Sequence, residues 1–212
     1  MQPARFDAVV AELAPITAEF ARAGRRLYIV GGTVRDLLLG RDVAALDFDF
    51  TTDAHPDEVK SLLDGLVDAL WTQGERFGTI AAKRGERTLE ITTHRAEAYV
   101  PDSRKPEVKF SDSVETDLSR RDFTINAMAL ELTAKSPQLV DPYGGLDDLM
   151  ARRLRTPLSP QESFNDDPLR MLRAARFVAT LAVTPDDALV AAVKTMNERL
   201  QIVSAERIRN EF

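Results

Sequence analysis

Apolar residues recur at helical spacing over residues 5–23, at Phe6, Val9, Val10, Leu13, Ile16 and Phe20, and Gly24 follows. This predicts an amphipathic helix ended by a glycine cap. The period then changes. Leu27 to Val30 is a short apolar run that stops at Gly31-Gly32, which reads as a buried strand. Thr33 is placed to cap a helix through Leu39, closed by Gly40. Leu46 to Thr51 alternates and predicts a strand, and Pro56 starts a helix through about Leu66. Thr79–Lys83 and Thr88–Thr92 flank Gly85 as a β-hairpin. Residues 97–113, with Pro101, Pro106 and many charges, read as a mobile loop. An apolar pattern resumes over Asn126–Leu132. From Leu146 onward it is mostly helical, with segments Pro168–Leu181, Asp186–Leu200 and Ser204–Phe212. A mixed α/β part to about residue 140 therefore precedes a helical part, an α+β arrangement.

The chain has 212 residues, 44% of them hydrophobic, enough for one large or two small cores. It has no cysteine, which excludes disulfides, thiolate metal sites and a cysteine nucleophile. Its two histidines, His55 and His94, cannot make a multi-histidine metal centre. Glu12, Glu19 and Arg22 interrupt the N-terminal apolar pattern, so no secretion signal is expected. No apolar run approaches membrane-spanning length, and a cytoplasmic location without membrane contact is the expectation. The net charge of −6 argues mildly against a nucleic-acid binder. Arginines nevertheless cluster at 120–121, at 152, 153 and 155, and at 170, 173 and 176. Each cluster alone reads as a solvated helix face.

Asp47-Phe48-Asp49 carries the first candidate chemistry. Residues two apart in a strand share a face, so two carboxylates would project side by side. An isolated Asp-x-Asp is equally a solvated strand end. A divalent cation would relieve the repulsion of such a pair, and magnesium uses one or two carboxylates plus substrate phosphates. The segment Gly31-Gly32-Thr33-Val34-Arg35-Asp36 adds to this reading. Glycines between a strand and a helix allow close approach of an anion to free backbone N–H groups, and Arg35 can add a contact to phosphate. The segment lacks the Gly-Lys-Ser/Thr of a P-loop and the third glycine of a dinucleotide fingerprint. Together the two elements suit a triphosphate held by the turn and by two metals. Glu90, on a neighbouring predicted strand, is the candidate third carboxylate, and reads equally as an exposed strand glutamate.

With these motifs in place the chain resembles the polymerase-β-type nucleotidyltransferases, and more narrowly the class II tRNA CCA-adding enzymes and bacterial poly(A) polymerases. Gly31–Asp36 and Leu46–Phe50 are similar to the family's catalytic head. Arg120–Met128 is similar to its ribose-binding motif, Asp141–Asp147 to the hinge, Asp166–Arg173 to the base-selecting neck motif, and Glu206–Glu211 to the last neck helix. The resemblance implies a nucleotidyltransferase head at 1–140, a small mixed sheet flanked by helices, followed by an all-helical neck at 141–212. It assigns Gly31, Gly32 and Arg35 to the triphosphate, Asp47 and Asp49 to two Mg2+ ions, and Arg121 and Asp122 to the phosphate and ribose. Asp167, Arg170, Arg173 and Arg176 fall on the nucleotide-binding face of the neck. There Asp167 and Arg170 could imitate a pairing edge and choose C or A; alone they read as a surface salt bridge.

The implied activity is addition of CMP and AMP from CTP and ATP to the tRNA 3′ end, with pyrophosphate leaving. A poly(A) polymerase or a CC- or A-adding enzyme is the near alternative. A non-catalytic nucleotide- or RNA-binding module is the alternative of another class. In the neck motif Asp166-Asp167 stands where much of the family has Glu-Asp. The family's body and tail domains, which grip tRNA, have no counterpart before Phe212, so the chain reads as an N-terminal fragment with weak tRNA binding.

Overall fold

The computed structural model describes residues 6–41, 47–98 and 107–212. Leu46, at the start of the predicted second strand, and residues 99–106 of the predicted loop lie outside the described residues. The chain divides into two compact units, Met1–Leu118 with Met128–Val140, and Ser119–Ala127 with Asp141–Phe212. One boundary between the units falls between Val140 and Asp141, and Ser119–Ala127 groups with the later residues.

The first unit begins with helix α1 (Asp7–Arg22), whose stripe Val9, Leu13, Ile16 and Phe20 is buried. Gly24, at φ 70°, ends it: Gly24 N–H donates to the Ala21 carbonyl and Arg25 N–H to that of Phe20. These are the paired bonds that a glycine in the left-handed region allows. Strand β1 (Leu27–Val30) is buried throughout. Helix α2 (Gly32–Leu38) starts on Gly31, not on Thr33. Thr33 lies inside the helix, buried, and its hydroxyl donates to the Asp47 carbonyl at 3.4 Å. The positive φ of Gly31 turns the chain two residues earlier than a threonine cap would.

Strand β2 (Phe48–Thr52) leads to helix α3 (Pro56–Leu63), which Pro56 opens, while Glu58 accepts the His55 N–H. Then come β3 (Ala69–Trp71), a 3-10 turn at Glu75–Phe77, and the hairpin β4 (Thr79–Arg84) and β5 (Arg87–Thr93) around Gly85. Strands β6 (Arg95–Ala98) and β7 (Glu107–Phe110) pair antiparallel, Arg95 opposite Phe110. These flanks of the predicted loop are strands. Each is only four residues long, too short to show a period beside charged and proline neighbours. Helix α4 (Val114–Ser119) follows, and β8 (Ala129–Glu131) and β9 (Gln138–Val140) complete the sheet.

The seven-stranded sheet has the order β3-β4-β5-β2-β1-β8-β9. All its pairings are antiparallel except β2 with β5. Helices α1 and α3 pack on each other and on the strands. Phe48, Phe50, Leu89 and Ile91 are buried, and the alternate residues Asp49 and Glu90 are exposed on the opposite face.

The second unit contains a 3-10 turn at Thr124–Asn126, α5 (Gly145–Met150), β10 (Arg153–Leu154), α6 (Pro160–Asp166), α7 (Arg170–Leu181), β11 (Thr184–Pro185), α8 (Asp187–Met196) and α9 (Ala205–Glu211). It is helical apart from one short parallel pairing of β10 with β11. Asp186 caps α8 through the Leu189 N–H, and Ser204 caps α9 through the Arg207 N–H. The buried stripe of α7 is Met171, Ala174 and Phe177 with Leu169 before it, while Leu172 is half-exposed. No helix among the described residues is long and apolar enough to cross a membrane.

Candidate active site

In the first unit, strand register gathers residues that are distant in sequence. Ile29 on β1 lies opposite Phe50 on β2, in antiparallel pairing. The chain therefore enters its glycine turn beside the stretch where Asp47 precedes β2 and Asp49 lies within it. The parallel pairing of β2 with β5 then sets Asp49 directly opposite Glu90. Asp47 and Asp49 are exposed on either side of buried Phe48, and Glu90 is exposed between buried Leu89 and Ile91. The Glu90 carboxyl is pushed above the ordinary glutamate value, first by its partial burial and then by Asp49 and Asp47. Three carboxylates thus load one face of the sheet's central strands with negative charge.

Backbone geometry orients this site. The Thr88 N–H donates to Asp47 Oδ1 at 3.0 Å. The Arg87 guanidinium lies 4.2 Å from the centroid of the Phe48 ring and pairs with Glu12, at 3.0 Å for the Nη2–Oε2 contact. Among the described residues, no group of three or more His, Asp or Glu is arranged to hold a metal ion by itself. The donors nevertheless suit magnesium, which completes its shell with substrate phosphates after one or two carboxylates. The register that sets Asp49 opposite Glu90, with Asp47 beside them, is the arrangement that fits a cation here.

Arg35 folds back over the glycine turn. A Cβ built at Gly32 would stand 3.3 Å from Arg35 Nη2, so only glycine gives the guanidinium this position without displacement. The same guanidinium grips Asp36, through Nε at 3.1 Å and Nη2 at 2.9 Å. Asp36 also holds Arg41 at 3.3 Å.

The other predicted residues lie in the second unit. Asp122 is buried, and Arg121 beside it is half-buried. Asp122 Oδ1 accepts the Phe123 N–H at 2.8 Å and the Asn126 amide at 3.0 Å. Its Oδ2 accepts Arg173 Nε at 2.9 Å and Nη2 at 2.7 Å. Asp167 and Arg170 take separate partners. Asp167 Oδ1 accepts the Leu169 N–H at 3.1 Å, and Oδ2 accepts Arg207 Nη2 at 2.8 Å. Arg170 donates to Ser163 Oγ at 2.9 Å and to the Arg120 carbonyl. Arg176 pairs with Glu211 at 2.7 Å.

Several residues in these networks escape a sequence reading. Asp148 is 0% exposed and accepts Thr124 Oγ1, Arg153 Nε and Arg155 Nε. Asp141, inside the hinge motif, takes the N–H groups of Gly145 and Leu146 at the start of α5. The Thr88 contact is made by backbone and leaves no signal in residue type. Arg207 and Glu211 belong to a matched motif but carry no periodicity that would point to their partners.

Residues 27–155 match the family model described as Poly A polymerase head domain. Over 199 residues the chain is 42% identical to the CCA-adding enzyme of Lactobacillus helveticus, covering 93% of this chain and 48% of that protein. The structure of the Bacillus stearothermophilus CCA-adding enzyme in complex with CTP superposes with a TM-score of 0.81 at 32% identity, covering 100% of this chain and 48% of that one. The Thermotoga maritima CCA-adding enzyme complexed with tRNA-CCA gives 0.79 at 28% identity, covering 100% and 47%. The chain spans about half the length of the relatives it matches. With its mixed sheet, its glycine turn beside paired aspartates and its match to the head-domain model, this chain belongs to the poly A polymerase head domain family of nucleotidyltransferases.

Proposed function

We propose that the chain is the catalytic part of a CCA-adding enzyme, which transfers CMP and AMP from CTP and ATP to the 3′ end of tRNA. The observation that carries the chemistry is the register that sets Asp49 opposite Glu90 with Asp47 adjacent. CTP and tRNA occur in the solved complexes of relatives, which supports these partners for the present chain. In the transfer the tRNA 3′ oxygen forms a bond to the α-phosphorus. The bond from that phosphorus to its bridging oxygen breaks, and pyrophosphate leaves. Asp47 and Asp49 would hold Mg2+, two ions in the fullest form, with Glu90 as the third carboxylate. When bound, the metal neutralises phosphate charge and lowers the pKa of the attacking hydroxyl.

The chain's own groups do the rest. The Thr88 N–H fixes the Asp47 carboxylate before any ligand arrives. Gly31 and Gly32 admit the triphosphate close to the backbone, and Arg35, already held over Gly32, supplies positive charge. Arg121, Asp122, Arg173 and Arg176 orient the nucleotide, and Asp167 with Arg170 reads the base edge. For that reading Asp167 must exchange its Arg207 contact for the base's exocyclic amine.

The decisive experiment supplies the complete enzyme with tRNA lacking its 3′ end and each nucleoside triphosphate in turn. CMP followed by AMP incorporation is expected, and Asp47→Ala should lower it on the order of a thousandfold with the circular dichroism spectrum unchanged. Long A-tails without C incorporation would overturn CCA addition in favour of polyadenylation. Metal-dependent nucleotide binding without any product would overturn catalysis altogether.

A further inference from the structure

Arg173 and Arg176, one turn apart on α7, are held from α9. Glu211 is 7% exposed, and its carboxylate reaches both: Oε2 lies 3.6 Å from Arg173 Nη1, and Oε1 lies 2.7 Å from Arg176 Nε. Arg173 in turn closes with two donors on Asp122 Oδ2, while Asp122 Oδ1 holds Asn126 and the Phe123 N–H. The four acceptor positions of an ionised carboxylate are thereby taken at Asp122. One chain of charges, Glu211–Arg173–Asp122, with both carboxylates buried, ties α9 to the segment around the Thr124–Asn126 turn. Both arginines also lie near the Phe177 ring, at 5.7 and 5.1 Å from its centroid. A long arginine side chain has many rotamers to lose, so a buried carboxylate between two of them narrows the choice before a ligand binds.

We infer that Glu211 is a positioning residue, which presets the Arg173 and Arg176 guanidinium groups for an incoming nucleoside triphosphate. The inference rests on the proposed nucleotide role of those arginines. Glu211 itself touches no reacting atom. Without its charge, Arg176 loses its acidic partner among the ion pairs described and Arg173 keeps only Asp122. The arginines must then be ordered at the expense of nucleotide affinity.

Calorimetric titration of the chain with CTP in the presence of Mg2+ tests this. Glu211→Gln is expected to weaken CTP about fivefold. Arg176→Gln should weaken it too, and the double variant should lose less than the sum of the two single losses, because both changes break the same Glu211–Arg176 contact while Glu211 also holds Arg173. Glu211→Asp, which keeps the charge on a shorter arm, should recover part of the affinity, and this comparison serves if the glutamine variant fails to fold. Unchanged affinity in a folded Glu211→Gln protein would overturn the inference and leave the proposed function standing. So would additive losses in the double variant, which a purely structural glutamate would give. Absence of any CTP binding by the unaltered chain would instead overturn the nucleotide reading, and the inference with it.

Discussion

Glu90 shows how a single side chain reports on its neighbours. Its folded-state pKa is raised above the unfolded value of 4.5, by burial and by Asp49 and Asp47. The folded chain thus holds this proton more tightly than the unfolded chain. The stability it contributes is complete below the unfolded value and is lost as pH rises through the folded one. Glu90→Gln keeps the uncharged shape at every pH. The variant should therefore melt higher than the unaltered protein at about pH 7 without divalent metal, and the gap should close below about pH 4. Equal melting temperatures at neutral pH would remove the case for crowded carboxylates. His94 has the opposite sign: burial pushes it below 6.5, and its Nδ1 lies 2.7 Å from Thr51 Oγ1. Its contribution is present above 6.5 and is lost as pH falls toward the folded value.

At the scale of elements, turns and buried ion pairs decide what can change. Gly24 and Gly78 both have positive φ, 70° and 83°. A Cβ at Gly24 would meet nothing within 4 Å, whereas at Gly78 it would stand 2.6 Å from Phe110 Cε1. Gly24→Ala should thus show the backbone cost alone, about 1 kcal/mol in urea unfolding. Gly78→Ala should cost about 2 kcal/mol, because the ring joining β7 to the 3-10 turn must also shift. Equal losses at the two positions would mean that Phe110 gives way freely. In the second unit Asp148→Ala strips Thr124, Arg153 and Arg155 of a shared, fully buried acceptor. Losing that acceptor should cost about 2 kcal/mol by the same measurement, since both arginines left behind are partly exposed. A loss near zero would show that water replaces the carboxylate.

For the whole molecule, ligand linkage gives the test. Mg2+ with CTP at about a hundred times its dissociation constant should stabilise the chain by about 3 kcal/mol, read as a rise in melting temperature. Asp49→Asn should lose most of that rise while melting normally without ligand. A full rise in the variant would remove Asp49 from the metal site. The sequence alone determined the features that live within a few residues of each other. These are the stripe of α1, the glycine caps, the hairpin around Gly85, the helix starts at Pro56, Asp186 and Ser204, and the placing of Asp47 and Asp49 on either side of a buried phenylalanine. Local periodicity and capping suffice for these, because the forces involved act over one turn or one strand. Tertiary structure decided which acids and bases meet. Glu90 could be a ligand or a surface residue until the parallel register set it opposite Asp49. Asp167 and Arg170, near neighbours on paper, take Arg207 and Ser163 instead, and Arg173 takes Asp122 and Glu211. A charged side chain reaches several partners of nearly equal worth, so packing of distant segments, and not spacing along the chain, selects among them.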